Sequence, residues 1–196
     1  DLGEELWRSD GTAPGTVLVR DVSPGTVSSN PKSLTIAGSS VYFVANDGTH
    51  GPELWTTDGT AAGTRLVKDA TPGQASPLNP PGRLAVVESQ LFFAAFDSAL
   101  AAFRPWRSDG SEAGTYPLGD VQVAHRFAAL GAEAFFVGTQ DPGPPDELWA
   151  ADGTPGGLRR VFVSGGAYLD APRAVGGKLL LFVANPFTEL WTSDGT

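Results

Sequence analysis

Short runs of apolar residues recur along the whole chain, separated by clusters of Gly, Pro, Asp and Ser. Two of these runs, residues 41–45 and 179–183, are apolar at both alternating sets of positions. A strand with one solvated face alternates apolar with polar residues, whereas a strand that is covered on both faces need not. No window shows the i, i+3, i+4, i+7 apolar spacing of an amphipathic helix. The pattern predicts an all-β protein whose sheets pack face to face, with almost no helix.

Some of the polar clusters between the runs belong to a motif that occurs five times. Its core is Leu-Trp-x-x-Asp-Gly-Thr, and the copies lie at residues 5–12, 53–60, 105–111, 147–154 and 189–196. All five tryptophans belong to it, at spacings of 48, 51, 43 and 42 residues. A self-similar period of this length is typical of stacked supersecondary units.

Each complete unit contains four predicted strands, the third of which carries the motif tryptophan. Four short antiparallel strands in about 46 residues are typical of a β-propeller blade. Pro117 cannot donate to a strand ladder, so we expect its strand to be an outer edge. We predict a single repeat domain over residues 1–196, with blade units at residues 1–29 (partial), 30–76, 77–120, 121–166 and 167–196 (partial). Because the sequence opens and closes in a tryptophan strand, we expect an arc or part of a larger propeller.

The motif, followed by Gly-Thr and an apolar strand that ends in Asp, resembles the ELWxxDGT repeat proteins, a bacterial family of large exported proteins. The resemblance covers almost all of the chain. It implies a propeller-like β-repeat and a secreted or cell-surface location, and it supplies no enzyme activity and no catalytic residues. The motif hairpin is also similar to the Asp-box of sialidase-type propellers, although the spacing differs.

Two copies depart from the pattern. The third has Arg104-Pro105 where the others have Glu-Leu, and the fourth has Gly156-Gly157 where the first has Gly15-Thr16. A chemistry that required every copy would be compromised by these changes. A role in folding would tolerate them.

We interpret the Trp, Asp and Gly of every copy as structural. The glycines accept positive φ and the aspartates can bond their own backbone, so each pair should brace a turn. The tryptophans should lie in the core between blades. The competing interpretations are calcium ligation by the carboxylates, of which each copy supplies one, and a sugar-stacking platform of tryptophans. The residues are Trp7, Asp10, Gly11, Trp55, Asp58, Gly59, Trp106, Asp109, Gly110, Trp149, Asp152, Gly153, Trp191, Asp194 and Gly195.

The remaining chemistry-bearing residues give no site. His50 lies in a loop without a second strong metal ligand, and His125 begins a strand. No serine has the context of a nucleophile elbow, and no pair of carboxylates stands out for glycoside cleavage. We expect no catalytic residue, no metal and no cofactor. The motif glutamates are expected at exposed strand starts rather than in ion pairs: Glu5, Glu53, Glu147 and Glu189.

Composition narrows the partners. A net charge of −9 repels nucleic acid, the absence of cysteine excludes disulfides, and no apolar run is long enough for a membrane helix. The sequence therefore predicts a non-catalytic extracellular or cell-surface scaffold or interaction module, with a protein or glycan partner. We expect its open edges to pair with further repeats or another chain. The alternative is a lectin-like, carbohydrate-binding propeller, and a glycoside hydrolase is less favoured.

Overall fold

The computed structural model describes residues 2–70, 72, 84–123, 126–140, 146–184 and 188–196. These residues form short strands, turns and connections, and none of them is helical. The strands are β1 (Leu6–Arg8), β2 (Val17–Arg20), β3 (Lys32–Ala37), β4 (Ser40–Asn46), β5 (Pro52–Thr57), β6 (Arg65–Lys68), β7 (Ala85–Val87), β8 (Gln90–Asp97), β9 (Ala102–Ser108), β10 (Tyr116–Pro117), β11 (Gln122–Val123), β12 (Ala128–Leu130), β13 (Glu133–Thr139), β14 (Glu147–Ala151), β15 (Leu158–Val163), β16 (Tyr168–Leu169), β17 (Arg173–Val175), β18 (Lys178–Ala184) and β19 (Thr188–Ser193).

The strands pair antiparallel in five sheets, in the order of the chain. The first sheet is β1-β2, the second is β3-β4-β5-β6 and the third is β7-β8-β9-β10. In the fourth, β11 and β12 both pair with β13, which is followed by β14 and β15; in the fifth, β16 and β17 both pair with β18, which is followed by β19. The all-β prediction is confirmed for the part of the chain that the structure describes. Pro117 lies in the outermost strand of its sheet, as expected.

The first strands of several sheets are interrupted, which the sequence did not predict. In the fourth sheet Gln122 pairs with Thr139 and Ala128 pairs with Phe135, so two separate segments line one edge of β13. In the second sheet, Ser33 has a φ of 59° and the register shifts beside it. Segments of two residues carry too little hydrophobic pattern to be recognised as strands.

The sheets pack face to face through four apolar clusters. Tyr42, Phe43, Val44 and Ala45 are all buried in β4, which confirms the expected burial of both faces for that strand. The expectation is wrong for β18, where Phe182 is 45% exposed on a face that no described sheet covers. In order along the chain, the clusters include Leu6, Val19 and Trp55; Leu54, Val67 and Phe93; Phe92, Leu118 and Trp149; and Leu148, Leu179 and Leu181.

Neighbouring motif residues face opposite ways. Trp55 packs against the first sheet, whereas Leu54 packs against the third. Trp55 and Trp149 are accordingly only 5% and 7% exposed. The expected burial does not hold for Trp7 and Trp191, which are 52% and 45% exposed. No described sheet packs against the tryptophan face of the first sheet, whereas Trp191 contacts Phe162 of the fourth sheet but has no described outer strand beside it.

Successive antiparallel strands place their connections alternately at the two opposite edges of each sheet where the strands begin and end, not along its edge strands. The motif turns lie at one edge, which we call the turn edge. The described connections between second and third strands, and the described ones between successive sheets, lie at the opposite edge, which we call the loop edge. Across the described residues, no helix is long and apolar enough to cross a membrane.

Candidate functional site

Each motif aspartate holds its turn through the residue two positions later. Asp10 Oδ1 accepts hydrogen bonds from the Thr12 backbone N–H at 2.9 Å and from Thr12 Oγ1 at 2.8 Å. The Gly15 N–H then donates to Thr12 Oγ1, and Thr16 Oγ1 donates to the Thr12 carbonyl. The second and third copies repeat all of these contacts, around Asp58 and Asp109. The fourth and fifth repeat the aspartate bonds, at Asp152 and Asp194.

Two glycines in each of the first four turns are required for different reasons. Gly11 has a φ of 91°, in the region that L side chains rarely adopt, and its counterparts have φ between 83° and 92°. Gly15 makes room for the carboxylate, since a Cβ there would lie 1.9 Å from Asp10 Oδ1. Gly157 fills this role in the fourth copy, with 1.8 Å from Asp152 Oδ1. The alignment expected from sequence was therefore wrong by one residue, because Gly157 and not Gly156 is the counterpart of Gly15.

With the corrected alignment, two residues that face each other across the hairpin are seen to be replaced together in the fourth copy. In the first three copies a hydroxyl before the turn meets a threonine hydroxyl after it at 2.7 Å: Ser9 with Thr16, Thr57 with Thr64, and Ser108 with Thr115. In the fourth copy, Ala151 pairs with Leu158 at this position. A buried hydroxyl without a partner would be costly, so exchanging both members for apolar residues keeps the hairpin satisfied.

Hydrogen bonding stabilises the ionised form of all five motif carboxylates. The side-chain hydroxyl two positions later is the largest cause of the lowered pKa of Asp10, Asp58, Asp109 and Asp194. For Asp152 the largest cause is the backbone N–H of Thr154. Among the described residues, no group of three or more His, Asp or Glu side chains is arranged to hold a metal ion.

The motif glutamates correct the sequence prediction of exposed strand starts. Glu5, Glu53 and Glu147 are 7%, 0% and 6% exposed, and only Glu189 is exposed as expected. The Glu5 carboxylate accepts hydrogen bonds from the backbone N–H groups of Val22, at 2.9 Å, and Ser29, at 3.0 Å. It thereby ties the end of β2 to the connection that leads into the second sheet.

The glutamates of the second and fourth copies, at the same motif position, also accept hydrogen bonds. Glu53 accepts a bond from the Ala70 N–H at 3.3 Å, the counterpart of the Val22 bond. Glu147 instead accepts from Trp149 Nε1 at 3.1 Å and pairs with Arg160 at 2.9 Å, so the disfavoured ion pair is present in this copy. Buried carboxylates are tolerated here because every one of them is hydrogen-bonded.

Arg104 replaces this glutamate in the third copy and reverses its charge. Its guanidinium donates to the Gly119 carbonyl at 3.1 Å and pairs with Asp97 at 2.6 Å and with Asp120. The arginine therefore still reaches the end of its own outer strand. The departure from the motif is compensated by acidic partners.

Donors on the outer strands bind the turn of the next sheet. Arg65 Nη1 donates to the Gly110 carbonyl at 2.7 Å, and Arg159 Nη2 donates to the Gly195 carbonyl at 2.7 Å. In the third sheet, Tyr116 Oη takes this position and donates to the Gly153 carbonyl at 2.8 Å. A second set, Arg20 and Lys68, donates to the carbonyls of Thr64 and Thr115.

The sequence prediction missed both the buried glutamates and these inter-sheet donors. The available signals were a glutamate at the same position in four of five copies, and basic or phenolic residues shortly after the Gly-Thr or Gly-Leu step. Both residue types usually point to solvent, so composition alone favours the wrong environment.

The loop edge carries further polar contacts. His50 Nδ1 lies 2.7 Å from Asp47 Oδ2, and this hydrogen bond raises the pKa of His50. Asp97 Oδ1 accepts the N–H groups of Ala99 and Leu100, which fixes the β8–β9 loop. His125, which the sequence placed at a strand start, lies outside the described residues.

A groove of about 260 Å³ opens at this edge between the third and fourth sheets. The Phe103 ring, 5.4 Å from that of Phe96, lies along the groove together with Gln122 and Thr139. The combination of an aromatic ring with a few polar side chains is typical of sites for small-molecule ligands.

Comparisons with known proteins support the architecture. No family model and no curated protein matches the chain. Among solved structures it is similar to TolB from Acinetobacter baumannii, with a TM-score of 0.54 and 13% identity over 95% of this chain and 44% of that one. It is also similar to an oligogalacturonate lyase from Vibrio parahaemolyticus, with a TM-score of 0.55 and 11% identity over 97% of this chain and 57% of that one.

A third similar structure is puromycin hydrolase, with a TM-score of 0.54 and 18% identity over 84% of this chain and 26% of that one. The chain thus spans between about a quarter and somewhat over half of the length of these proteins. The fold is propeller-like. Identities this low show the fold and do not transfer an activity.

Proposed function

We propose that the chain is a non-catalytic interaction module of a secreted or cell-surface protein. The observation that carries this proposal is the different use of the two sheet edges. At the turn edge, motif residues bond to one another and to the next sheet. The intervals between second and third strands differ in length, and the structure describes two of them at the loop edge, residues 47–51 and 98–101.

The motif turns and inter-sheet contacts form a constant frame, and the loops that this frame holds vary. Such an arrangement suits recognition of a partner rather than a catalytic site repeated in every copy. The interval from the motif aspartate to the second glycine is five residues in each of the first four copies. Loops held by a rigid scaffold are where binding residues concentrate. The proposed secreted or cell-surface location rests on the resemblance of the motif to exported repeat proteins.

A loop exchange tests the proposal. The labelled chain would be added to intact cells of its source organism, beside a variant with residues 98–101 replaced by Gly-Ser-Gly-Ser. The control variant is Glu112→Gln, at the turn edge. We expect cell binding to fall in the loop variant and to persist in the control. Equal binding of all three proteins would contradict recognition through the loop edge.

We also propose that the sheets form an arc that further repeats or another chain continue. Leu34 and Ile36 are 59% and 73% exposed on one outer face of the sheet stack, and Phe182 and Leu190 are 45% and 58% exposed on the other. Apolar exposure of this extent is typical of surfaces that have partners. Light scattering should therefore show self-association of the isolated chain. A compact monomer whose β1 and β19 share one sheet would contradict the arc.

The groove at Phe103 favours a second candidate function, carbohydrate binding. A glycan array distinguishes it from protein recognition. Reproducible binding of a neutral glycan that is lost in Gln122→Ala and retained in Glu112→Gln would support the lectin-like alternative. An array without signal would leave protein recognition as the better proposal.

A further inference from the structure

One residue at or just beyond the outer strand of each sheet faces the next sheet, and we call its place the bridging position. It lies thirteen residues after the motif tryptophan in each of the first four copies. In three of these sheets it pairs with the residue just before the tryptophan, as Lys68 pairs with Leu54. The residues at the bridging position are Arg20, Lys68, Gly119 and Phe162. Two cations, a glycine and an aromatic residue differ too much to make one common contact, so the sheets meet in different ways.

The two cations bind the sheet that follows their own. Arg20 donates to the Thr64 carbonyl, and Lys68 Nζ donates to the Thr115 carbonyl at 2.9 Å. Both threonines lie nine residues after the tryptophan of their own copy, and we call this place the turn-exit position because it follows the motif turn. The junctions from the first sheet to the second and from the second to the third are therefore closed by a cation that reaches a backbone carbonyl.

The junction between the third and fourth sheets is built differently. Leu158 holds the turn-exit position of the fourth sheet and packs against the apolar cluster between these two sheets. A Cβ at Gly119 would lie 2.7 Å from Leu158 Cδ1, well inside the separation of about 3.5–4.0 Å at which carbon atoms pack. A side chain on residue 119 would therefore compete with the leucine for the same space.

A residue on the motif strand completes each form of the junction. The threonine hydroxyls at the turn-exit position lie 2.7 Å from the hydroxyls of Thr57 and Ser108. Leu158 instead pairs with Ala151, which has no hydroxyl. Threonine at the turn-exit position thus occurs with a hydroxyl on its own motif strand and a cation on the preceding sheet. Leucine occurs with alanine on its own motif strand and glycine on the preceding sheet.

We propose that the bridging and turn-exit positions determine which repeat can pack after which. A repeat with arginine or lysine at the bridging position accepts a following repeat with threonine at the turn-exit position, whereas a repeat with glycine accepts one with leucine. A cation before leucine would collide with it, and glycine before threonine would lack the hydrogen bond and leave a gap. This selection gives the sheets a fixed order, and it goes beyond the proposed interaction with a partner at the loop edge.

A thermodynamic cycle in the 196-residue chain tests the junction between the third and fourth sheets. Gly119→Lys is made in the unchanged chain and in an exchanged chain that carries Ala151→Ser with Leu158→Thr. Unfolding by urea is followed by circular dichroism at one protein concentration. We expect the lysine to raise the equilibrium constant for unfolding about tenfold in the unchanged chain and less than about threefold in the exchanged chain. Equal increases would overturn the matching of the two positions.

Gly119→Ala is the matched control, because it adds the Cβ without a cation. In the exchanged chain, the equilibrium constant for unfolding should be several-fold lower with Gly119→Lys than with Gly119→Ala, since only the lysine can donate to the carbonyl of residue 158. Equal constants would show that the cation contributes nothing and would overturn that half of the rule.

The reverse exchange at the junction between the second and third sheets is an independent test, and it decides the question even where Gly119→Lys abolishes folding. Lys68→Gly should raise the equilibrium constant for unfolding several-fold in the unchanged chain, because it removes the bond to the Thr115 carbonyl. In a chain that carries Ser108→Ala with Thr115→Leu, the same change should lower the constant, because it makes room for the leucine. A rise of the same size in both chains would overturn the proposal. Neither cycle involves the loop edge, so a negative result here would not bear on the proposed interaction module.

Discussion

Replacing single motif tryptophans by alanine should show that burial between sheets, rather than presence in the motif, determines how much a tryptophan contributes to the free energy of unfolding. Trp149 is 7% exposed in the cluster between the third and fourth sheets. A side chain of this size removes roughly 150–250 Å² from water, which corresponds to about 4–6 kcal/mol at about 25 cal/mol per Å². Measured losses for buried aromatic residues are about 3–5 kcal/mol. We therefore expect Trp149→Ala to lower the free energy of unfolding by about 4 kcal/mol.

Trp7→Ala is the matched control. The same side chain is 52% exposed on the first sheet, so about half of its area is already in water. We expect a loss of about 2 kcal/mol or less. Urea unfolding followed by far-ultraviolet circular dichroism gives both values, with the slope against urea checked for constancy. Equal losses for the two variants would refute the conclusion that burial between sheets decides what the motif tryptophan contributes.

Three further predictions follow from the turns and the inter-sheet donors. Hydrogen bonds hold the pKa of Asp58 below its ordinary value of 3.8, so the contribution of its ionised form to stability is present above that pH and is lost as the pH falls through the folded-state pKa. Thr60→Val removes one of these bonds, so its melting temperature should fall less steeply between pH 5 and pH 2 than that of the unchanged chain. An unchanged steepness would contradict this prediction. Chelator should leave the melting temperature almost unchanged if the turns need no calcium, whereas a large fall restored by calcium would show that they do. Arg65→Ala should cost about 1 kcal/mol by removing the bond to the Gly110 carbonyl, while Arg65→Tyr should recover part of it, as Tyr116 makes this contact in the third sheet; equal denaturation midpoints for all three proteins would contradict the role.

The parts of the fold that repeat locally were predictable from sequence. The pairing of β4 with β5 and of β5 with β6 follows from short apolar runs separated by turn residues. The positive φ of Gly11 follows from the Asp-Gly pair at a hairpin turn. These features depend on residues close together in the chain, so a single repeat contains the information.

Features that depend on residues far apart in the chain were not predictable in the same way. Glu53 is fully buried although glutamate is usually exposed, and its carboxylate accepts a hydrogen bond from the N–H of Ala70, seventeen residues away. Arg65 looks like a solvated outer-strand residue until the Gly110 carbonyl, forty-five residues away, is placed beside it. The segments β11 and β16 were missed because two residues carry no readable alternation.

The departures from the motif show that the frame depends on contacts rather than on residue identity. Arg104 replaces a glutamate with the opposite charge, yet it still reaches the end of its own outer strand through Gly119 and Asp120. Ala151 and Leu158 replace a pair of hydroxyls with a pair of apolar side chains. In each exchange the partner suits the new residue, so no buried group is left unsatisfied. A catalytic or metal-binding role would require the same functional groups in each working copy, whereas a frame requires only that each contact be made, and this argues for the frame.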